Sequence, residues 1–495
     1  MKKPVFRLPC ELFCQIFHRV VHDYVHLIPN PVAERQGRLR PLVYNNSPAD
    51  PTILAQVCSS WREVAVAFRP LWCTTFIKHP SKYHVHRTHL WLERSNGFPL
   101  SLTLISQGNI NATWKIMTML LERSRVWREI DFRLPNAVIP AFSEACQIAD
   151  TCEMLRSVRY RSQIEEEYDY FASENGGDMH ELDGVKFVAR TLEEIKPYFD
   201  DIWSFFYSSP KLLHVAWEWC YNGNVFPRNT PFRDLASVQI GFGLAVNTML
   251  DVLACLPKLK VFSGKVLQEN ASLPPQVSLH QPYCLPLTLR RLRSLELKSG
   301  TRAVASLMEG LMLPALTDLL LVYDQEEDES QPSEDAESIQ QLLQRSQCRL
   351  EALSITHHKM KDEEALRYIT IPELGYLSWL CLVGTFSKEI VAALSAKNPD
   401  GSPVLLPHLT LLSLHRIYGI EDGLLATLLR SRQPTLTKCS LMTDSRYGPL
   451  DDAYMMAHME LWIWEPHSHV LGLSVVCVRK VQNWLGGFRA DRDKD

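Results

Sequence analysis

Leu292-Arg293-Ser294-Leu295-Glu296-Leu297 sets an apolar residue, two variable positions, a second apolar residue, one variable position and a third apolar residue. Alternation over so few residues marks a short strand with one face buried. The same spacing returns at Leu316-Leu319-Leu321, Leu350-Leu353-Ile355, Leu409-Leu412-Leu414, Leu235-Val238-Ile240 and Leu212-Val215-Trp217. Weaker copies stand at Trp127-Ile130-Phe132, Leu155-Val158-Tyr160, Leu374-Leu377-Trp379 and Leu436-Cys439-Leu441. Between them, 301–312, 335–345, 387–397 and 421–430 place apolar residues three and four apart, as amphipathic helices do.

The strand-plus-helix unit recurs at roughly 20 to 29 residues, with longer exceptions, which is the leucine-rich-repeat period. A unit of that size cannot bury its own apolar faces, so neighbours must stack. The spacing therefore predicts an irregular leucine-rich-repeat solenoid over 99–480. The alternative is a doubly wound α/β sheet. Short strands, shared leucine spacing and the lack of a glycine-rich phosphate loop after any strand favour the solenoid. The Asn that usually closes a leucine-rich strand turn is missing throughout, so the array is irregular.

Working back to the N-terminus, Leu8, Leu12, Ile16 and Val20 fall four apart, with Phe13, Phe17 and Val21 beside them. That is a wide apolar stripe on one helix. After a gap come Leu54-Ala55-Gln56-Val57-Cys58-Ser59-Ser60-Trp61-Arg62-Glu63-Val64-Ala65 and Arg69-Pro70-Leu71-Trp72. Five prolines lie in the intervening stretch, about 23–51 (Pro29, Pro31, Pro41, Pro48 and Pro51), and they read as an irregular insertion. An apolar stripe alone is most often plain core.

The ordered combination of Leu8-Pro9, Glu11-Leu12, Ile16-Phe17, Val57-Cys58, Trp61-Arg62 and Pro70-Leu71-Trp72 is more specific, and it resembles the F-box. The insertion, Trp91-Leu92-Glu93-Arg94-Ser95 and Pro99-Leu100-Ser101-Leu102 make the chain similar to F-box-domain proteins of basidiomycete fungi. The resemblance implies a helical module over 1–76 that docks on a Skp-type adaptor and through it joins a cullin–RING ligase. Leu8, Pro9, Leu12, Ile16, Phe17, Leu54, Val57, Cys58 and Trp61 would be shared between adaptor contact and the module's own core. The expected fold is thus α/β: an N-terminal F-box helical module, a connector over 77–98, the irregular leucine-rich-repeat solenoid, and a polar tail over 481–495. The implied function is substrate recruitment to a ubiquitin ligase, with the repeat domain holding an unknown protein target. The rival readings are an F-box scaffold acting outside ubiquitination and an enzyme on an unfamiliar fold.

Composition agrees with an ordinary globular chain of more than one unit: 495 residues, 46% hydrophobic and 22% charged. A net charge of -4 gives no basic excess for nucleic acid or acidic membrane. The 13 cysteines are scattered without a C-x-x-C pair, as expected of reduced thiols in the cytoplasm or nucleus. No secretory signal opens the chain and no window reads as a membrane span. Two stretches, 164–184 and 324–337, read as solvated acidic loops, the second with eight acids and no base.

No catalytic or cofactor motif is complete. Gly241-Phe242-Gly243 lacks the third glycine of a dinucleotide fingerprint, and His180-Glu181 lacks the second histidine of a zinc-protease helix. Cys10, Cys14, His18, His22 and His26 step by four, but one helix rarely supplies four tetrahedral ligands. They read as a surface or adaptor-facing stripe. His79, His84, His86 and His89 read as surface histidines in a loop-like stretch. No metal, cofactor or catalytic residue is expected.

Overall fold

The computed structural model describes residues 9–22, 51–106, 109–163, 180–182, 185–187, 192–218, 234–267, 286–323, 333–433, 435–443, 449–457, 462–469 and 472–479. Leu8, His26, the proline-rich stretch as far as residue 50, Trp219, acidic residues 164–179 and 324–332, and the expected tail lie outside these. The chain divides into two compact units, Met1–Gly243 and Leu244–Asp495.

The first unit opens with helices α1 (Cys10–His22), α2 (Pro51–Val57) and α3 (Ser59–Ala67) and a 3-10 turn at Arg69–Trp72. Strands then alternate with helices: β1 (Thr74–Lys78), α4 (Lys82–Ser95), β2 (Leu100–Ile105), α5 (Ile110–Leu121), β3 (Trp127–Pro135), α6 (Ile139–Ile148) and β4 (Ser157–Gln163). A small antiparallel hairpin, β5 (His180–Leu182) and β6 (Val185–Phe187), precedes α7 (Leu192–Tyr207), β7 (His214–Glu218) and β8 (Ser237–Ala245). Strands β1, β2, β3, β4, β7 and β8 pair in that order, all parallel.

The second unit continues with α8 (Val246–Ala254), β9 (Val261–Leu267), β10 (Leu287–Thr288), β11 (Ser294–Ser299), α9 (Thr301–Glu309), β12 (Leu311–Met312), β13 (Asp318–Tyr323) and α10 (Ser333–Ser346). Then come β14 (Ala352–Thr356), α11 (Asp362–Ile369), β15 (Trp379–Phe386), α12 (Lys388–Ser395), β16 (Leu411–Ile417), α13 (Leu424–Arg432) and β17 (Lys438–Thr443). Helix α14 (Pro449–Ala457) leads to β18 (Trp462–His469) and β19 (Gly472–Arg479). Strands β9, β11, β13, β14, β15, β16 and β17 are parallel neighbours, and β19 and then β18 close the edge antiparallel.

This architecture corrects the expected fold. Among the described residues thirteen strands run parallel with helices between them, an α/β fold, and not a helical F-box module followed by a leucine-rich-repeat solenoid. Two physical differences underlie the correction. Parallel pairing begins at Thr74, inside the segment assigned to the helical module, where Thr74–Lys78 pairs with Ser101–Ile105. The strands are also longer than the motif suggests, reaching nine residues at Trp127–Pro135 and Ser237–Ala245.

The leucine spacing builds the core row by row. Leu295, Leu319, Leu353, Leu380, Leu412 and Cys439 are register partners on successive strands, as are Leu297, Leu321, Ile355, Leu382, Leu414 and Leu441. All are buried. The copy read at Leu374-Leu377-Trp379 is displaced by three residues: Leu377, Leu380 and Leu382 are the buried set, and Trp379 points to the opposite face. Gly264 occupies the second row beside Leu297, where a Cβ would come within 2.9 Å of the Phe262 ring and 3.0 Å of Met249. In the first unit the rows turn aromatic. Trp203 meets Trp217 edge-on at 5.4 Å and Tyr160 meets Phe199 at 5.9 Å, the arrangement the ring quadrupole favours.

Two loop expectations are also corrected. His84, His86 and His89 lie on α4, whose buried residues Thr88, Trp91, Leu92 and Ser95 repeat at three and four. The acidic stretch is helical from Ser333, with Asp335 buried.

Candidate docking surface and open sheet face

Helix α1 splits its apolar stripe in two. Phe17 and Val21 are fully buried, whereas Leu12, Ile16 and Val20 are 42%, 44% and 42% exposed. Phe17 packs on Trp61 at 4.9 Å between ring centres, and Phe13 lies 6.0 Å from the same indole. Leu54, Ala55, Ala65, Leu71, Trp72 and Trp91 complete this small core. Polar links hold the helices in place. Cys58 caps α3 through its sulfur, which accepts from Trp61 N at 3.4 Å. Arg62 Nε donates to Ala55 O at 2.9 Å and Trp72 Nε1 to Ala65 O at 2.8 Å. Arg94 lies over the Trp72 ring and Arg87 over Trp91, each at 4.3 Å, so their stems cover the aromatic floor.

The structure thus separates the residues that the sequence grouped. Phe17 and Leu54 belong to the core, and Trp61 and Cys58 are half-buried beside it. Pro9, Leu12, Ile16 and Val57 face outward, the last 57% exposed. Pro9 contributes its carbonyl, which accepts from Leu12 N and Phe13 N at the start of α1. Val20, read only as part of the apolar stripe, and Ile53 stood outside the set shared between adaptor contact and core, yet both are exposed apolar side chains, Ile53 by 58%. Helical spacing was the available signal: Val20 lies four beyond Ile16, and Ile53 four before Val57. Burial and the neighbouring Cys10 push the Cys14 thiol up, against a thiolate ligand on this stripe. Among the described residues, no three His, Cys, Asp or Glu side chains are placed to hold a metal ion.

The sheet face away from the buried rows is the second candidate. In the first unit Thr103, Asp131, Arg159, Ala216 and Gln239 form one register row, with Arg159 Nη1 3.7 Å from Asp131 Oδ2; the first four are buried and only Gln239 is half-buried, so this face is closed there. In the second unit the corresponding row reads Glu296, Leu320, Ser354, Cys381, Ser413 and Ser440. Burial pushes the Cys381 thiol up while hydrogen bonds to Ser354 and Ser413 oppose it. A raised thiol is a poor nucleophile. Ser413 Oγ and His415 Nε2 are 3.1 Å apart, the separation of a nucleophile and its base. Burial and Arg416, however, lower the His415 pKa, and an activating base needs its imidazolium stabilised.

Among the described residues no helix is long and apolar enough to cross a membrane. No protein-family model matches the sequence, and no curated protein matches it. Among solved structures, the chain is similar to a Bacteroides fragilis protein determined as a structural-genomics target. The identity is 12%, covering 72% of this chain and 78% of that one, with a TM-score of 0.30.

Proposed function

We propose that this chain recruits a protein target to a Skp–cullin–F-box ubiquitin ligase, its N-terminal helices docking on the Skp-type adaptor and its open sheet face holding the target. One observation carries the reading. Leu12, Ile16, Val20, Ile53 and Val57 stand exposed on two helices whose other faces are already closed into a core. Covering a half-exposed aliphatic side chain contributes about 1 kcal/mol, so five of them supply a useful part of a stable interface. The chain itself makes and breaks no bond in this reading and requires no cofactor. It works by tethering, which raises the target's effective concentration near the activated ubiquitin. Its place of work is the cytoplasm or nucleus.

Co-expression of the full chain with a Skp-type adaptor tests this. The expected result is a stoichiometric complex on size exclusion that Leu12→Asp and Ile16→Asp abolish, while circular dichroism of both variants stays as in the parent. Recovery of Leu12→Asp with the adaptor at parental yield would remove the proposal.

A further inference from the structure

The C-terminal ends of β14, β15 and β16 bring together groups far apart in the chain. Thr356, Val383 and His415 are register partners. Immediately beyond them the backbone departs from regular pairing. The register shifts between Val383 and Phe386, and again between Leu414 and Ile417. Arg416, inside the second shift, has a φ of 60°, a left-handed conformation that costs a non-glycine side chain of order 1 kcal/mol. Gly384, inside the first, lets the chain pass so close to Met360 O that a Cβ would lie 2.8 Å from it. That approach is locked by Thr385, whose N–H donates to Met360 O at 2.7 Å and whose hydroxyl donates to His358 O at 3.1 Å. His357 N donates to Val383 O at 2.9 Å, so the His357-His358 turn is held against β15.

These irregularities deliver three ionisable nitrogen groups to one corner. Arg416 is exposed, with no hydrogen bond or ion pair to any described residue. It stands close enough to His358 and to His415 to disfavour a proton on each, after burial, which is the larger cause. The Nδ1 atom of His358 is buried and accepts or donates no hydrogen bond among the described residues. Among the described residues the His415 ring hydrogen-bonds Ser413 alone. The nearby carboxylate, Glu364, is engaged elsewhere, with His357 Nδ1 at 3.4 Å and the Tyr368 hydroxyl at 3.5 Å. A strained arginine with no counter-charge among the described residues, beside one imidazole with an unpartnered ring nitrogen and another held only by a hydroxyl, offers N–H groups to an acceptor from outside. Bulges of this kind re-aim side chains at sites of contact.

We infer that the corner formed by His358, His415 and Arg416 is an oxyanion site on the open sheet face, receiving a phosphate or carboxylate group from a bound protein segment. A guanidinium offers two parallel donors to such a group, and charge-assisted hydrogen bonds of this type are about twice as strong as neutral ones. The Ser413 and Thr356 hydroxyls lie on the same face to complete the contacts. Only the origin of the anion, in a ligase target, rests on the proposed function; the site itself would survive a failure to bind the adaptor.

The test is NMR of the full chain with 13C-labelled histidine, the two rings assigned with His358→Gln and His415→Gln. Sodium phosphate is titrated against sodium chloride of equal ionic strength. Saturable movement of both rings with phosphate is expected. Arg416→Gln should weaken the response about tenfold, and Arg349→Gln, whose guanidinium lies over Tyr376 elsewhere in the unit, should not. A parallel acetate titration separates the two sources. Saturation by both anions assigns an acidic side chain, and saturation by phosphate alone assigns a phosphate ester. Rings that follow chloride and phosphate alike, or an Arg416→Gln response equal to the parent's, would overturn the inference.

Discussion

Arg432 carries its charge into the core of the second unit, where it is 0% exposed. Among the described residues no carboxylate pairs with it. Its Nε and Nη2 donate to Leu394 O at 2.9 and 2.7 Å, Nη2 also to Leu405 O at 2.7 Å, and Nη1 to Leu406 O at 2.8 Å. The guanidinium of α13 thereby satisfies one open carbonyl at the end of α12 and two in the segment that follows it, where Leu406 has a φ of 48°. Burial pulls its pKa down to about 10, which leaves it charged at neutral pH. Arg345 repeats the device on a smaller scale, donating to Leu311 O at 3.1 Å and Met308 O at 2.7 Å. Arg432→Met should cost about 3 kcal/mol in urea unfolding, because it strands several buried acceptors. A loss below about 1 kcal/mol would show that water takes over the carbonyls. Nothing in the sequence marks this residue. In Leu428-Leu429-Arg430-Ser431-Arg432 it looks like any last-turn arginine, since its partners are backbone atoms about thirty residues earlier. The anion corner was hidden for the same reason: His358 and Arg416 become neighbours only through strand register.

Neighbouring elements exchange caps at their N-terminal ends. Asp362 of α11 accepts from Ser387 N, the residue before α12, at 3.0 and 2.9 Å. Asp422, just before α13, accepts from Leu450 N and Asp451 N of α14, and Asp451 returns the contact by accepting from Ala426 N at 2.7 Å. Each carboxylate thus meets orphan N–H groups at the positive end of a helix dipole. Burial nonetheless raises the Asp451 pKa above its ordinary 3.8, with the opposing pull of the Ala426, Gly423 and Leu425 amides and a further push from Asp422. A carboxyl that binds its proton more tightly when folded favours the folded state on the acid side. Its contribution is present below the ordinary pKa and is lost as pH rises through the raised one. Thermal melts between pH 3.5 and 7 should show this slope in the parent and not in Asp451→Asn, which keeps the acceptor oxygen. Asp451→Ala should cost about 1 kcal/mol at pH 7. An Asp451→Asn profile parallel to the parent's would assign the slope to another group.

At the scale of elements, the strands that carry the leucine spacing and the helices at 301–312, 335–345, 387–397 and 421–430 were legible because their apolar periods are strong, while helices such as Ile110–Leu121 and Leu192–Tyr207 were not read. The failures have physical causes. On α4 the polar residues Lys82, His84, His86 and His89 dilute the buried stripe of Trp91 and Leu92, so the segment read as loop. At β15 two overlapping leucine spacings, Leu374-Leu377 and Leu377-Leu380, competed, and only burial decides between them.

Across the whole molecule, the short leucine motif fixed where strands lie but not how long they run or where parallel pairing begins, which is why the fold class was misread. Of the residues proposed for docking, the motif located the helices that carry them, and the division between core and surface follows from packing such as that of Phe17 on Trp61. Within each unit the parallel strands pair in chain order, so every register contact joins segments that are close in sequence. The length of a connection is therefore nearly independent of the rows it links, since closure entropy grows only with the logarithm of loop length. Twenty Gly/Ser residues placed within the exposed turn at 398–402, where Gly401 has a φ of 85°, should lower unfolding stability by about 1 to 2 kcal/mol at most. Loss of soluble, folded protein would show that this connection steers strand pairing. A chain organised in this way can lengthen or recompose one connection at a time while its rows stay in register, so its surface is free to diversify at a rate its interior never has to match.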